Sequence, residues 1–168
     1  MPRRLVTSLI SDVLAGNGQR ADEALAALAL PDAKEYFKLH FDDGVADRLT
    51  KTYDEAAEHL PELSDVLKTE LDKGRTKAVV EAFDDPDDRK AVGFQSIALR
   101  EMRNPTPVYS VRLVGKDDET GSFHIWSFVH DGKAFRWVGK MANVRTDIND
   151  KEKKILELRI ERAHQLAD

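Results

Sequence analysis

His124 is the residue whose type and surroundings could most directly do chemistry. An imidazole can act as a general acid, a general base or a hydrogen-bond donor near neutral pH. Further along the chain, Asp131-Gly132 separates two alternating runs, a pattern that predicts a two-residue hairpin turn. Such a turn would place His124 opposite Gly139, where a missing side chain could leave space for a ligand. His124 is therefore a candidate catalytic or ligand-binding residue, and the alternative is a partly buried histidine with a structural role.

Large aromatic side chains share one face of the predicted hairpin, in the opposed pairs Phe128 with Phe135 and Trp126 with Trp137. Directly opposed residues point to the same side of a sheet. Each of these rings can bury about 150–250 Å², so this face is expected to lie against the helices. Tyr109 of the preceding strand would join it. The ligand site predicted from this face consists of His124, Tyr109, Trp126, Trp137 and Gly139.

Basic side chains fall on the opposite, outer face of the predicted sheet: Arg112, Arg136 and Lys140, with Ser110 and Ser127 between them. A cationic sheet face could receive an acidic partner, a membrane headgroup or another copy of the chain. The alternative is an ordinary solvated face. Nucleic acid is not expected as a partner, because the formal net charge is −5 and no basic stripe alternates with exposed aromatic residues.

The composition excludes several kinds of site. The chain has no cysteine, so disulfides, thiol nucleophiles and thiolate metal sites are ruled out. The acidic run at 84–88 lacks the residue spacing of a calcium loop, and Pro86 in its middle favours a solvated turn. Neither a dinucleotide-binding nor a phosphate-loop glycine motif is present. We therefore expect no metal and no cofactor.

The order of elements predicts an α+β fold. The chain has 168 residues, which suits one domain with a sizeable core. Apolar residues recur at helical spacing in 1–76, whereas short alternating runs dominate 77–142, and the segment 94–99 fits either a strand or a helical turn. We expect four or five N-terminal helices packed on a curved antiparallel sheet of four or five strands, in a single domain over 1–146.

The two ends of the chain suggest further expectations. Residues 147–168 carry two adjacent apolar rows and predict a C-terminal helix, packed back on the domain or used for association, so a homodimer is possible. The apolar run that begins at Leu5 is shorter than the roughly 7–15 residues of a signal peptide, and no window approaches the ~18 apolar residues of a membrane span. We expect a soluble protein, cytoplasmic by default and extracytoplasmic if a signal or anchor has been trimmed.

A curved sheet after several helices, ending in an aromatic strand, an Asp-Gly turn and Phe135-Arg136-Trp137-Val138, resembles NTF2-like and cystatin-like domains. The stretch from Leu28 to this hairpin also resembles extracytoplasmic bacterial domains of that general kind. The resemblance covers roughly residues 5–142 in the order of elements and the last hairpin in specific residues. It implies a sheet wrapped around a helix, sometimes enclosing a pocket, in domains that serve as enzymes, binding modules or dimerisation modules.

The sequence favours a non-catalytic binding or protein-interaction domain that uses the outer sheet face or the C-terminal helix. No set of residues with the pattern of a catalytic site is evident. Residues 1–76 hold 10 basic and 15 acidic side chains, whereas the rest of the chain has equal numbers of basic and acidic side chains. The alternative is a small-molecule-binding or isomerase/hydratase-type enzyme with a pocket near His124. That alternative predicts a cavity beside Gly139. The expected partner is a protein or a small molecule.

Overall fold

The computed structural model describes residues 4, 7, 8, 12, 15–88, 91, 94–115, 121–145 and 158. Within them the helices are α1 (Gly18–Ala26), α2 (Ala33–His40), α3 (Asp43–Ala57), α4 (Leu63–Asp72) and α5 (Phe94–Glu101), with a 3₁₀ turn at Leu60–Glu62. The strands are β1 (Lys77–Phe83), β2 (Val108–Val114), β3 (Ser122–His130) and β4 (Phe135–Gly139). The predicted α+β class is confirmed.

The sheet is an antiparallel meander in the order β1-β2-β3-β4. The segment that fits either a strand or a helical turn forms α5, which lies between β1 and β2 in the chain. Its buried residues, Phe94, Gln95, Ala98 and Leu99, recur at helical spacing and form one face. Four of the five described helices therefore precede the sheet, and the fifth is inserted after its first strand.

The end of α2 is capped by residues that follow α5. The guanidinium of Arg103 donates to the carbonyl oxygens of Lys38, at 2.9 Å, and of Phe41. The side-chain amide of Asn104 donates to the carbonyl oxygen of Leu39. The last carbonyl groups of a helix lack partners within the helix, so these donors stabilise its C-terminus. They also tie α2 to the segment between α5 and β2.

Helices cover parts of both sheet faces. On one face, Trp137 of β4 packs against Tyr53 of α3, with ring centroids 6.2 Å apart. On the other, Gln95 of α5 donates to the hydroxyl of Ser127 at 3.2 Å. Ser127 and Ser110 are both buried, so the prediction that they lie on a solvated outer face is wrong. For Ser127 the physical reason is α5, which supplies a hydrogen-bonding partner on that face.

The outer edge of β4 is partly covered by the connection between α1 and α2. The backbone N–H of Trp137 donates to the carbonyl oxygen of Leu28 at 2.8 Å. The segment after β4 is held against α3, where Arg48 donates to the carbonyl oxygens of Asn143 (3.1 Å) and Val144 (2.8 Å). These contacts join the end of the sheet to the helical layer.

The predicted C-terminal helix over 147–168 lies outside the described residues, apart from Leu158, which is helical and exposed. Its packing and its possible use in association therefore stay predictions. None of the described helices combines the length and the apolar character that crossing a bilayer requires.

Candidate functional site

The β3–β4 hairpin has a longer loop than the Asp-Gly pair predicts. His130 pairs with Phe135, so the loop contains the four residues 131–134 instead of two. The pairings predicted from a two-residue turn are therefore displaced along β4. In particular, the predicted pairing of His124 with Gly139 is wrong.

The carboxylate of Asp131 explains the longer loop. Its Oδ1 accepts hydrogen bonds from the backbone N–H groups of Lys133 (2.8 Å) and Ala134 (2.7 Å), and its Oδ2 accepts one from Nε of Arg136 (2.7 Å). Burial favours the neutral acid, but these hydrogen bonds and the charge of Arg136 outweigh it and hold the pKa of Asp131 well below its ordinary range. Arg136, which the sequence predicts on an interaction face, also donates to the carbonyl oxygen of Ala27. Its contacts thus fix the hairpin to the helices.

The space beside Gly139 is occupied by an indole ring. A Cβ atom at Gly139 would lie 3.5 Å from two carbon atoms of the Trp137 ring. The ring is held there because its Nε1 donates to the carbonyl oxygen of Ile125 at 2.8 Å. Gly139 pairs with Ser127 and has φ of +65°, a left-handed conformation that glycine adopts without steric cost. The glycine thus fits a backbone requirement, and the ring stands where the sequence predicts a cavity.

A β-bulge interrupts the regular alternation of β3. Val111 pairs with Trp126 and Arg112 pairs with His124, which leaves Ile125 as an extra residue in β3. Trp126 has φ of +67°, an unusual value for a bulky residue. Bulges re-aim side chains, and strained backbone of this kind costs about 1–3 kcal/mol and is concentrated at functional sites. This part of β3 is therefore a candidate for a functional role.

His124 and Lys140 both contact Trp126 beside the bulge, and together with Arg112 on the neighbouring strand these three side chains form what we call the basic–aromatic cluster. The ring centroids of His124 and Trp126 are 5.9 Å apart, and Nζ of Lys140 lies 4.3 Å from the centre of the Trp126 ring. That distance is typical of a cation–π interaction. Arg112 lies opposite His124 on the neighbouring strand. Lys140 is exposed and the other three are half-buried, so the cluster reaches the surface.

The structure regroups the residues predicted from the sequence. His124 and Trp126, assigned to a ligand site, join Arg112 and Lys140, assigned to an interaction face. Two other members of the predicted ligand site lie elsewhere: Trp137 contacts the helical layer, and Tyr109 packs edge-on against a ring of the hairpin, Phe135, at 4.9 Å. Strict alternation along a strand cannot foresee this grouping, because a bulge changes the alternation.

The comparisons with known proteins give no match. No family model matches the chain, and neither curated proteins nor solved structures show significant similarity to it. The resemblance to NTF2-like and cystatin-like domains therefore stays an expectation from the sequence.

The acidic run at 84–88 forms a turn that is tied to α5. The Oδ1 atom of Asp85 accepts a hydrogen bond from the backbone N–H of Asp87 at 2.8 Å. Arg100 of α5 forms an ion pair with Asp87, and the hydroxyl of Ser96 donates to the carbonyl oxygen of Pro86 at 2.8 Å. Among the residues that the structure describes, no three histidine or acidic side chains converge as they would around a metal ion.

A shallow pocket of about 350 Å³ lies away from the basic–aromatic cluster, between the start of α2 and the middle of α3. It is lined by Leu30, Pro31, Asp32, Ala33, Lys34, Glu35, Thr50 and Asp54. None of these residues belongs to either predicted site, and they show no convergent catalytic arrangement. The basic–aromatic cluster is therefore the candidate functional site.

Proposed function

We propose that this protein is a non-catalytic binding domain that receives an acidic segment of a partner protein on the basic–aromatic cluster. The observation that supports the proposal most directly is the environment of Trp126. Its half-buried indole sits on strained backbone and is flanked by Lys140 at 4.3 Å and by His124 at 5.9 Å. Strain of this kind persists only where the surrounding structure enforces it, and a binding surface is a common reason to keep it.

The side chains of the cluster are suited to a partner segment in which carboxylates lie next to an apolar side chain. Arginine and lysine side chains form charge-assisted hydrogen bonds with carboxylates. Tryptophan and arginine are also the residue types that most often dominate the energy of protein–protein interfaces. The indole supplies apolar contact area, Lys140 supplies positive charge at its ring, and Arg112 supplies a second positive charge opposite His124. A nucleic acid fits less well, because the formal net charge of −5 repels a long polyanion.

The alternative of a catalytic pocket needs an open space beside Gly139. The indole of Trp137 occupies that space, and His124 pairs with Arg112 on a neighbouring strand instead of with Gly139. The binding proposal is therefore the one that the geometry supports better.

Reversing two charges of the cluster is expected to abolish most of the binding. With a fluorescein-labelled peptide of glutamate, aspartate and leucine as the probe, Arg112→Glu with Lys140→Glu should raise the dissociation constant at least about tenfold, because attraction is replaced by repulsion. The matched control is Lys51→Glu with Lys133→Glu. It changes the net charge equally at two exposed sites outside the cluster and should stay within about twofold of the unchanged protein. Fluorescence anisotropy measures both.

Two outcomes would contradict the proposal. An equal loss of affinity in both double variants would mean that overall charge, and not the cluster, governs binding. Binding to vesicles that contain anionic lipid, without binding to the peptide, would replace the protein partner by a membrane surface. Circular dichroism of each variant verifies that the fold is retained, so a loss of affinity cannot be confused with unfolding.

A further inference from the structure

The strand β1 lies at one end of the sheet order, so its outer edge presents backbone groups in the way that an added strand could use. Its residues alternate between the two faces, and Lys77, Val79 and Glu81 share one of them. Lys77 is exposed, while Val79 and Glu81 are half-buried. On that face a basic, an apolar and an acidic side chain follow one another along the edge strand.

The sequence of β1 is complementary to itself when it is paired antiparallel around Val79. In that register Val79 lies opposite the same residue of a second copy, and Ala78 lies opposite Val80. Lys77 of each copy then lies opposite Glu81 of the other, so two opposite-charge pairs form by symmetry. Opposite charges directly across a strand pair are stabilising, whereas like charges are destabilising.

The neighbouring registers lack this match. Pairing around Val80 would place Lys77 opposite Phe83, and Glu81 opposite Val79. Pairing around Ala78 would place Lys77 opposite Val79. Only the register around Val79 brings the two charges of the strand together. Register in an antiparallel pair is specified by such side-chain matches, so the pattern selects one arrangement.

We propose that two copies of the chain associate through β1 into one continuous antiparallel sheet, with Val79 on a two-fold axis perpendicular to the sheet. Such an interface is self-complementary, as a two-fold symmetric dimer requires. Edge-to-edge pairing of one short strand buries less surface than a typical permanent interface. The dimer is therefore reversible and depends on protein concentration.

The proposed dimer has a consequence for the basic–aromatic cluster. Val79 lies opposite Arg112, and Arg112 lies opposite His124, so one cross-strand row leads from the two-fold axis to the cluster. The symmetry keeps both clusters on the same side of the joined sheet. The two Arg112 residues would be three strand spacings apart, about 14 Å. The functional meaning of this spacing between the two clusters rests on the proposed function, whereas the dimer itself does not.

Charge variants test the dimer by complementation. Lys77→Glu alone places two glutamates opposite each other in each pair, and Glu81→Lys alone places two lysines there. Each single variant is expected to raise the dimer dissociation constant about tenfold. An equimolar mixture should form a heterodimer with an affinity near that of the unchanged protein, because glutamates of one variant then face lysines of the other. Sedimentation velocity over a concentration series measures all three samples.

A cysteine at the two-fold axis gives a second, independent test. The chain has no cysteine, so each variant contains a single thiol. In the proposed register two copies of Val79→Cys bring their Cα atoms within about 4.5–5.5 Å, which a disulfide can bridge. The control is Ala82→Cys, at an exposed position of the same strand, where the two thiols would be about 20 Å apart. Mild oxidation should link most of the first variant and little of the second.

The proposal is overturned if the mixed charge variants associate no better than each alone. It is also overturned if the two cysteine variants cross-link equally or neither cross-links. Circular dichroism confirms that each variant is folded. The peptide-binding measurement with the cluster variants is separate, because the cluster substitutions leave Lys77, Val79 and Glu81 unchanged.

Discussion

Replacing Asp131 by alanine is expected to lower the free energy of unfolding by about 3 kcal/mol at neutral pH. The carboxylate accepts two backbone hydrogen bonds of the hairpin loop and one from Arg136, and only 11% of the aspartate side chain is exposed. Its loss leaves two N–H groups without their acceptor and removes the carboxylate paired with Arg136, which keeps its hydrogen bond to the carbonyl oxygen of Ala27. Urea denaturation followed by tryptophan fluorescence measures the change. The control, Asp47→Ala at an exposed site of α3, should change stability by no more than about 0.5 kcal/mol.

Asp131 also makes the free energy of unfolding depend on pH. Because the folded state holds the pKa of Asp131 well below its ordinary value, the unfolded chain takes up the proton first as the pH falls. The stabilisation is therefore fully present above about pH 5 and is lost progressively as the pH falls through the ordinary aspartate range towards the lower folded value. The difference in unfolding free energy between the unchanged protein and Asp131→Asn should shrink from pH 7 to pH 3. A constant difference over that range would contradict the role given to the charge.

Replacing Glu70 by alanine is expected to cost about 3 kcal/mol. This glutamate at the end of α4 is buried, and its carboxylate receives Lys73 Nζ at 2.7 Å and the guanidinium of Arg75. Burial opposes its charge, but these two cations hold the pKa of Glu70 below its ordinary value. Arg75 also donates to the carbonyl oxygen of Gly121 at 3.3 Å, so it links α4 to the start of β3. Without Glu70, a mostly buried guanidinium loses the carboxylate of this ion pair.

A double-mutant cycle measures the interaction between Glu70 and Arg75 separately from their contacts with other residues. Glu70→Ala, Arg75→Ala and the double variant should give a coupling free energy of about 2 kcal/mol between the two side chains. Glu70→Leu with Arg75→Met should be more stable than Glu70→Ala alone, because no buried charge is then left uncompensated. Glu55→Ala, at an exposed site of α3, is the control. A cost for Glu70→Ala as small as that of the control would mean that solvent screens this pair as it does at the surface.

The local pattern of the sequence was sufficient for most elements of the fold. Strands β2 (108–114) and β3 (122–130) lie in the segment 77–142 where alternation predicts strands, since that signal acts over a few neighbouring residues. The segment 94–99 was ambiguous because a short run fits both periodicities. Packing against the sheet decided it, through buried positions such as Ala98 and the bond from Gln95 to Ser127.

The register of the β3–β4 hairpin could not be predicted from the local pattern of the sequence alone. The Asp-Gly pair predicts a two-residue turn, whereas the Asp131 carboxylate bonds to backbone N–H groups beyond the turn and to Arg136. Arg136 is in turn held by a carbonyl group of the connection between α1 and α2. A contact between positions so far apart in the chain leaves no local signal. The register follows from these side-chain hydrogen bonds. In this register Gly139 pairs with Ser127 and not with His124.

The sequence by itself determined the fold class and the residue types from which the candidate site is built. Helical and alternating periodicities, breakers and the absence of cysteine are local or compositional properties, so they can be read without a structure. Only the tertiary structure decided which of those residues meet. The bulge at Ile125 and the register shift between Ser127 and Phe128 in the β3–β4 pairing break the alternation that assigned His124 and Lys140 to separate sites, and both residues lie beside one indole ring. Bulges depend on pairing with neighbouring strands, and that pairing is set by the packing of the whole domain.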